Sequence, residues 1–258
     1  MTGEARTAGL NAAVRRAVAG TAASTRSFFR EPLTIALLLA LPAVSIEIYG
    51  ASLGQFPELG VFASVGSLET TGRITGAVFA TGALAGVLGL FQMISARDAD
   101  RRLALCGFRG VELLGARFAT VLVVSGAIAA VSTATLAGLL TTSIGAPLGV
   151  FLGLVLAGVI YGLIGVLVGS VLPRELEGSL VLVILADMDN VFASGLFAID
   201  ESVTRFAPLS QPHELVTRAV VDGTLAVDHA VAALGHVAVF GVAAVAAYTY
   251  QVERGGDD

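Results

Sequence analysis

The side chains best suited to chemistry are two carboxylates, Asp187 and Asp189, which lie inside the apolar stretch of residues 180–199. A carboxylate near the centre of a bilayer costs at least about 2.5 kcal/mol on insertion scales unless it is protonated, paired or in contact with water. The pair therefore either lines a polar path through a membrane or is held by internal hydrogen bonds. Asn190, and His236 from a later apolar stretch, are the candidate partners in the second case.

Other reactive residue types are scarce, which excludes several kinds of enzyme. All 15 basic residues are arginine, so the chain lacks the lysine of a phosphate-binding loop and that of a Schiff-base enzyme. Cys106 is the single cysteine, which excludes an internal disulfide and a thiolate cluster. No Ser–His pairing is evident, and the sequence assigns no catalytic residue.

The three histidines, His213, His229 and His236, do not have the spacing of metal ligands. His229 and His236 are seven residues apart on one helical face, but no third ligand lies at a suitable spacing. We therefore expect structural or pore-facing histidines and no metal site. The net charge of −5 provides no basic surface for nucleic acid.

Long apolar stretches are the elements that must position these residues. The chain is 55% apolar and only 14% charged, with a mean hydropathy of +0.86, far outside the range of soluble domains. About 20 helical residues cross a hydrocarbon core of roughly 30 Å. Six stretches are long enough: residues 33–53, 74–94, 118–141, 148–172, 180–199 and 230–250. We predict an all-α integral membrane protein with six transmembrane helices in one domain, residues 33–258. Asp187 and Asp189 then lie roughly 10 to 15 Å along the fifth helix.

The arginines predict how this domain is oriented, because short loops rich in positive charge stay in the cytoplasm. Twelve of the 15 arginines lie before the first stretch, between the second and third, between the fourth and fifth, or after the sixth. The other gaps hold only Arg73, Arg205 and Arg218. We expect a multi-pass protein of the plasma membrane with both termini in the cytoplasm.

Glycines in two of the stretches predict which helices are central. The fourth stretch carries three G-x-x-x-G pairs, and the second carries Gly82 and Gly86. Small residues let helix backbones approach closely in lipid. We therefore expect the second and fourth helices to be packed between others.

The segment before the first stretch, residues 1–32, has helical periodicity. Leu10, Val14, Val18 and Phe28 recur near helical spacing, while the arginines fall largely elsewhere. This pattern predicts an amphipathic helix at the inner membrane surface. The alternative is a solvated tail.

The connection between the second and third stretches, residues 95–117, is the most patterned loop. A charge cluster is followed by a short helix-like run and by breaks at Gly107 and Gly110. A helix parallel to the membrane here would serve as a handle for another protein. A charged loop held inside by its arginines explains the same residues, and the pattern alone leaves both open.

This loop resembles the cytoplasmic loop of ABC-2 type permeases, the membrane subunits of ATP-driven exporters. The resemblance lies in the acidic and basic cluster, then Arg102-Leu103, Gly107, and the run from Arg109-Gly110-Val111-Glu112-Leu113-Leu114 to Arg117. A second likeness follows the fifth stretch, where Gly195, Phe206-Ala-Pro208-Leu209-Ser210 and the segment from Pro212 to Arg218 resemble the family's glycine, Pro-Leu-Ser turn and short amphipathic external segment. The likeness covers nearly the full length.

The resemblance implies a half-transporter. Two six-span subunits, as a homodimer or a related heterodimer, would form a twelve-span pathway in the lipid bilayer. Each would engage a separate ATP-binding cassette subunit through a cytoplasmic coupling helix between spans 2 and 3. The coupling residues would be Arg97, Arg101, Arg102, Leu103, Gly107 and Glu112.

Under this interpretation the chain binds no cofactor and is not an enzyme by itself, because ATP and Mg²⁺ belong to the partner subunit. The candidate substrate-pathway residues are Asp187, Asp189 and His236. Asp187 and Asp189 also depart from the family pattern, so the resemblance does not identify the substrate.

Two functions of other classes compete with transport. An intramembrane enzyme, such as a protease or a lipid phosphatase, would use Asp187, Asp189 and His236 for its chemistry. A membrane assembly factor would transport nothing. Hydrolysis by the isolated chain would favour the enzyme, and a neighbouring gene for a Walker-type ATPase would favour the permease.

Overall fold

The computed structural model describes residues 20–22, 25–26, 30, 32–56, 67–95, 110–141, 143–172, 174–195, 204 and 206–254. Across these residues the secondary structure is helical, with turns and short connections and without a strand. The helices are α1 (Pro32–Gly54), α2 (Leu68–Ser95), α3 (Gly110–Leu139), α4 (Pro147–Val171), α5 (Glu175–Ala193), α6 (Ser210–Val221) and α7 (Val227–Arg254). The predicted all-α class is therefore confirmed.

Five of the described helices are long and apolar enough to cross a membrane. These segments are Thr34–Gly54, Leu68–Ser95, Leu113–Leu139, Pro147–Val171 and Val227–Tyr250. They match five of the six predicted spans, so a polytopic membrane protein follows from them. The remaining predicted span, the fifth in chain order, corresponds to α5, which has 19 residues and carries Glu175, Glu177, Asp187 and Asp189. These carboxylates set α5 apart from the other five.

The ends of the helices differ from the predicted ends at several places. α2 begins at Leu68, six residues before the predicted start, so Arg73 lies within a helix and not in a loop. α5 extends from Glu175 to Ala193, so it begins five residues before the predicted start, and residues 196–199 of the predicted span lie outside the described residues. Gly195, with a φ of 68°, has the left-handed conformation that ends helices.

The long helices alternate in direction, which gives the bundle two ends. At the distal end, where α1 finishes and α2 begins, the Arg73 guanidinium donates a hydrogen bond to the carbonyl of Leu139 at the end of α3. At the proximal end, the Arg117 guanidinium of α3 donates to the carbonyl of Gln92 at the end of α2, at 2.7 Å. α1, α2 and α3 are thus antiparallel neighbours.

α2 and α4 form the centre of the bundle. Both are largely buried, and α1, α3, α5 and α6 pack against one or both of them. Their backbones approach so closely that a Cβ atom on Gly165 of α4 would lie 2.9 Å from the carbonyl carbon of Gly86 on α2. A Cβ on Gly89 would overlap the Gly162 carbonyl in the same way. The prediction that these two helices are packed between others is confirmed, and the glycines explain it.

α6 is short and amphipathic, as the resemblance implied, and it packs along the distal half of α4. Its buried face consists of Pro212, His213, Leu215, Val216 and Ala219. The Ala219 carbonyl accepts a hydrogen bond from the Ala146 N–H at 3.3 Å, just before α4 begins. The opposite end of α6 therefore reaches toward the middle of the bundle.

The predicted interfacial helix and coupling helix fall mostly outside the described residues. Residues 20–22 and 25–26 are helical, and the Thr21 hydroxyl donates to the Ala116 carbonyl at 3.4 Å. Five of the predicted coupling residues, Arg97, Arg101, Arg102, Leu103 and Gly107, lie outside the described residues. The sixth, Glu112, belongs to the first turn of α3, because that helix already begins at Gly110.

Candidate functional site: carboxylates and tyrosines in the bundle

Asp189 is held by two other elements of the bundle. It lies about 21 Å along α5 from Glu175, farther than predicted because the helix begins five residues earlier. The Tyr161 hydroxyl of α4 donates to its Oδ2 at 2.8 Å, and the Leu209 N–H donates to the same oxygen at 3.0 Å. The carboxylate is 6% exposed. Asp189 thus ties α5 to the central helix α4 and to the start of α6.

Asp187 has a different partner on a different helix. Its Oδ1 accepts a hydrogen bond from the Tyr49 hydroxyl of α1. The Tyr49 ring in turn lies against Phe79 of α2, with ring centroids 5.7 Å apart. Each residue of a helix is rotated by about 100° from the one before it, so residues two apart point to nearly opposite sides of the helix. The two carboxylates therefore do not face one another.

Asn190 connects α5 to the distal part of α2. Its side-chain N–H donates to the Thr75 carbonyl at 3.0 Å, whereas its Oδ1 is buried without a described partner. The Thr75 hydroxyl lies 3.3 Å from His213 Nε2, and His213 Nδ1 lies 3.4 Å from the Thr217 hydroxyl. Burial lowers the pKa of His213 from 6.5 to about 4. This imidazole is therefore neutral at neutral pH.

The structure does not bond the three predicted pathway residues to one another. Within the described part of the chain, neither a hydrogen bond nor an ion pair joins His236 of α7 to Asp187 or Asp189. The His236 Nδ1 atom is buried without a hydrogen-bond partner among the residues that the structure describes. Asn190 does not bond either aspartate. The expected internal hydrogen bonds exist, but tyrosines and a backbone N–H supply them.

Sequence reasoning missed Tyr49, Tyr161 and the contribution of α6. A signal for the tyrosines was present, since both lie inside apolar spans and the chain has only four tyrosines. A buried tyrosine hydroxyl needs a hydrogen-bond partner, and so does a buried carboxylate. No local pattern placed the Leu209 N–H at Asp189, because 20 residues separate them.

A cavity of about 340 Å³ opens beside Asp189. Its walls come from the distal half of α5, from Tyr161 and from the segment before α6. The lining residues are Tyr161, Leu185, Met188, Asp189, Phe192, Thr204, Ala207 and Pro208. Most of this surface is apolar, and Asp189 is the charged residue in it. Asp187 lies outside the lining.

The arginines that form ion pairs in the described part of the chain bond carboxylates that do not line this cavity. Arg73 lies 2.7 Å from Glu69 and 3.8 Å from Glu47 at the distal end. Arg174 pairs with Glu177, and Arg218 pairs with Glu214. The ion pairs of the described residues thus include neither Asp187 nor Asp189.

The described residues bring together no group of three or more His, Cys, Asp or Glu side chains suited to a metal ion. Two of the histidines are held by other contacts: His213 by the two threonine hydroxyls described above, and His229 by Gln211, whose Oε1 lies 2.8 Å from the His229 Nδ1. Comparison of the sequence with protein-family models gives no match, and comparison with curated proteins gives none. What can be said of function therefore rests on the residues and their geometry.

Proposed function

We propose that the chain is the permease subunit of an ATP-driven exporter, with the substrate pathway in its membrane bundle and ATP hydrolysis on a separate cassette subunit. One observation carries this proposal: a bundle of membrane-length apolar helices holds a carboxylate, Asp189, at the wall of an open cavity of about 340 Å³. A buried carboxylate without a cationic partner is costly in a purely structural protein. In a transporter the same group serves a polar or charged substrate.

The geometry favours transport over intramembrane hydrolysis. An acid pair of the protease type needs two carboxylates that face each other across a substrate, whereas Asp187 and Asp189 bond to tyrosines on different helices. His236 makes no described hydrogen bond to either of them, so a His–Asp relay is not assembled. The pathway assignment therefore centres on Asp189.

In the proposed assembly α5 also crosses the membrane, as the fifth of six spans, and both termini are cytoplasmic. The face of α5 turned away from α2 exposes large apolar side chains, including Leu180, Ile184 and Met188. A second permease subunit, identical or related, would cover part of this face and complete a twelve-span pathway. The proposal places the bundle in the plasma membrane, and the arginine distribution makes its proximal end the cytoplasmic end.

Docking of the cassette subunit is tested at the loop between α2 and α3. Replacing Arg101, Arg102 and Leu103 together by alanine removes two charges and an apolar anchor from the proposed contact. The variant should remain in the membrane but lose co-purification with the cassette subunit and stimulation of its ATPase activity. Pull-down and phosphate release measure the two effects.

The control removes the same residue types from another segment that the proposal places on the cytoplasmic side. Arg15, Arg16 and Leu10 changed together to alanine should leave both readouts near the parent level. If the loop variant binds and stimulates like the parent, the coupling assignment is wrong. If both variants lose binding equally, general loss of positive charge explains the result and the loop is not a specific contact.

A further inference from the structure

We propose that the cavity beside Asp189 binds an amphipathic organic cation, with apolar groups against its walls and the positive charge at the carboxylate. This inference rests on the proposed function, because it names the class of substrate that the exporter carries. Three features of the cavity support it: an incompletely satisfied carboxylate, an apolar lining and the size of the space.

The first feature is the carboxylate. Both described hydrogen bonds of Asp189 end on Oδ2. Oδ1 accepts none of the hydrogen bonds that the structure describes for this residue, and no ion pair of the described residues includes Asp189. A charge in a site of low polarity interacts strongly with a nearby opposite charge, because little solvent screens the pair. A ligand cation would supply the missing compensation.

The second feature is the lining. Leu185, Met188, Phe192 and Pro208 present apolar surface, and the lining includes two aromatic rings, those of Tyr161 and Phe192. Aromatic faces attract organic cations, and quaternary ammonium groups are recognised in this way. A strongly hydrated inorganic ion would gain little from such walls, so the lining selects an organic cation.

The third feature is the volume. A cavity of about 150 Å³ holds one benzene ring, so the 340 Å³ here accommodates about two rings. Dibenzyldimethylammonium has two rings and a permanent positive charge that does not titrate. Dibenzyldimethylsilane has the same shape and is neutral, which separates the effect of charge from that of size.

The experiment measures binding of radiolabelled dibenzyldimethylammonium to the purified full-length chain in lipid nanodiscs, without ATP and without the cassette subunit. The unlabelled cation should displace the label, and the silane should compete at least about ten-fold more weakly. This comparison uses the unmodified protein, so it does not depend on how a variant folds. Equal competition by the silane would overturn the role of charge.

Two variants then locate the site. Asp189→Asn should weaken binding by about ten-fold or more, because it deletes the charge that faces the cation. Asp187→Asn is the matched control two residues away, and it should bind like the parent because Asp187 does not line the cavity. Each variant is first checked by size-exclusion chromatography and thermal stability.

Unchanged affinity in Asp189→Asn would refute the proposal, as would an equal loss in Asp187→Asn. If Asp189→Asn does not assemble, the comparison with the silane on the parent protein still decides whether a charge-dependent site exists. Met188→Trp then decides whether this cavity is the site, because the bulky side chain at the lining should block cation binding. The cassette subunit is absent from these measurements. A negative result would therefore refute the cation site without refuting the proposed ATP-driven assembly, which is tested separately.

Discussion

The close contact between α2 and α4 makes a quantitative prediction for Gly165→Ala. The new Cβ would overlap the Gly86 carbonyl oxygen and lie 2.9 Å from its carbon and 3.0 Å from the Leu90 nitrogen. Ordinary contact begins at 3.4 Å, and the overlapped oxygen is nearer than either of these atoms, so the two backbones must separate by about an ångström or more. All three neighbours are backbone atoms of a helix, which cannot rotate away as a side chain can.

Overpacking of this kind costs typically 1–3 kcal/mol. The matched control is Gly126→Ala on α3, where a new Cβ has no neighbour within 4 Å. That change should be neutral or stabilising by up to about 1 kcal/mol, since alanine favours the helix over glycine. The free energies of unfolding of the two variants should therefore differ by about 1–4 kcal/mol.

Titration with sodium dodecyl sulfate in mixed micelles, followed by pulse proteolysis, measures this free energy for each variant. Gly165→Ala should unfold at lower dodecyl sulfate fractions than the parent, and Gly126→Ala should not. If Gly165→Ala is as stable as Gly126→Ala, the α2–α4 contact is not as close as described and the arrangement of the central helices is wrong.

The remaining predictions concern the groups around α6. Tyr161→Phe should lower the free energy of unfolding by about 1–3 kcal/mol, because Asp189 then keeps only the Leu209 N–H as a described donor; the same titration checks this against the parent chain. Because of His213, the free energy of unfolding should fall as the pH is lowered. The pKa of this imidazole is about 4 in the folded protein and about 6.5 in the unfolded chain, so the unfolded chain binds the proton at a higher pH than the folded protein does. The decrease in the free energy of unfolding should begin near pH 6.5, level off near pH 4 and approach about 3 kcal/mol. Thermal unfolding from pH 7.5 to 4 should show this slope, and His213→Gln should flatten it; an unchanged slope in that variant would contradict the burial of this neutral imidazole.

Periodicity and length predict most of the bundle because each span must satisfy its own backbone in lipid. The five long apolar helices follow from runs of about 20 apolar residues, and the central place of α2 and α4 follows from their glycines. The helix ends are less predictable, since helices continue beyond the hydrocarbon core. α2 therefore begins already at Leu68, so Arg73 lies within this helix, where it forms ion pairs with Glu69 and Glu47.

The candidate site was only partly predictable, because its partners are distant in sequence. The cost of burying Asp187 and Asp189 identified them as needing compensation. Which groups provide it depends on how α1, α4 and α6 meet α5, with separations of 138 residues for Tyr49 and Asp187 and 28 for Tyr161 and Asp189. Helical periodicity places residues on a face but does not name the helix that packs against that face.

The central claim is that this chain works as the membrane half of an ATP-driven exporter. Its most direct test is to purify the tagged chain from its own source membranes in a mild detergent, and to measure the composition and ATPase activity of the product. The account predicts a complex with a polypeptide that carries a phosphate-binding loop, with vanadate-sensitive ATP hydrolysis that disappears when that polypeptide is removed. Purification of the chain without such a partner, or hydrolytic activity in the isolated chain itself, would contradict it.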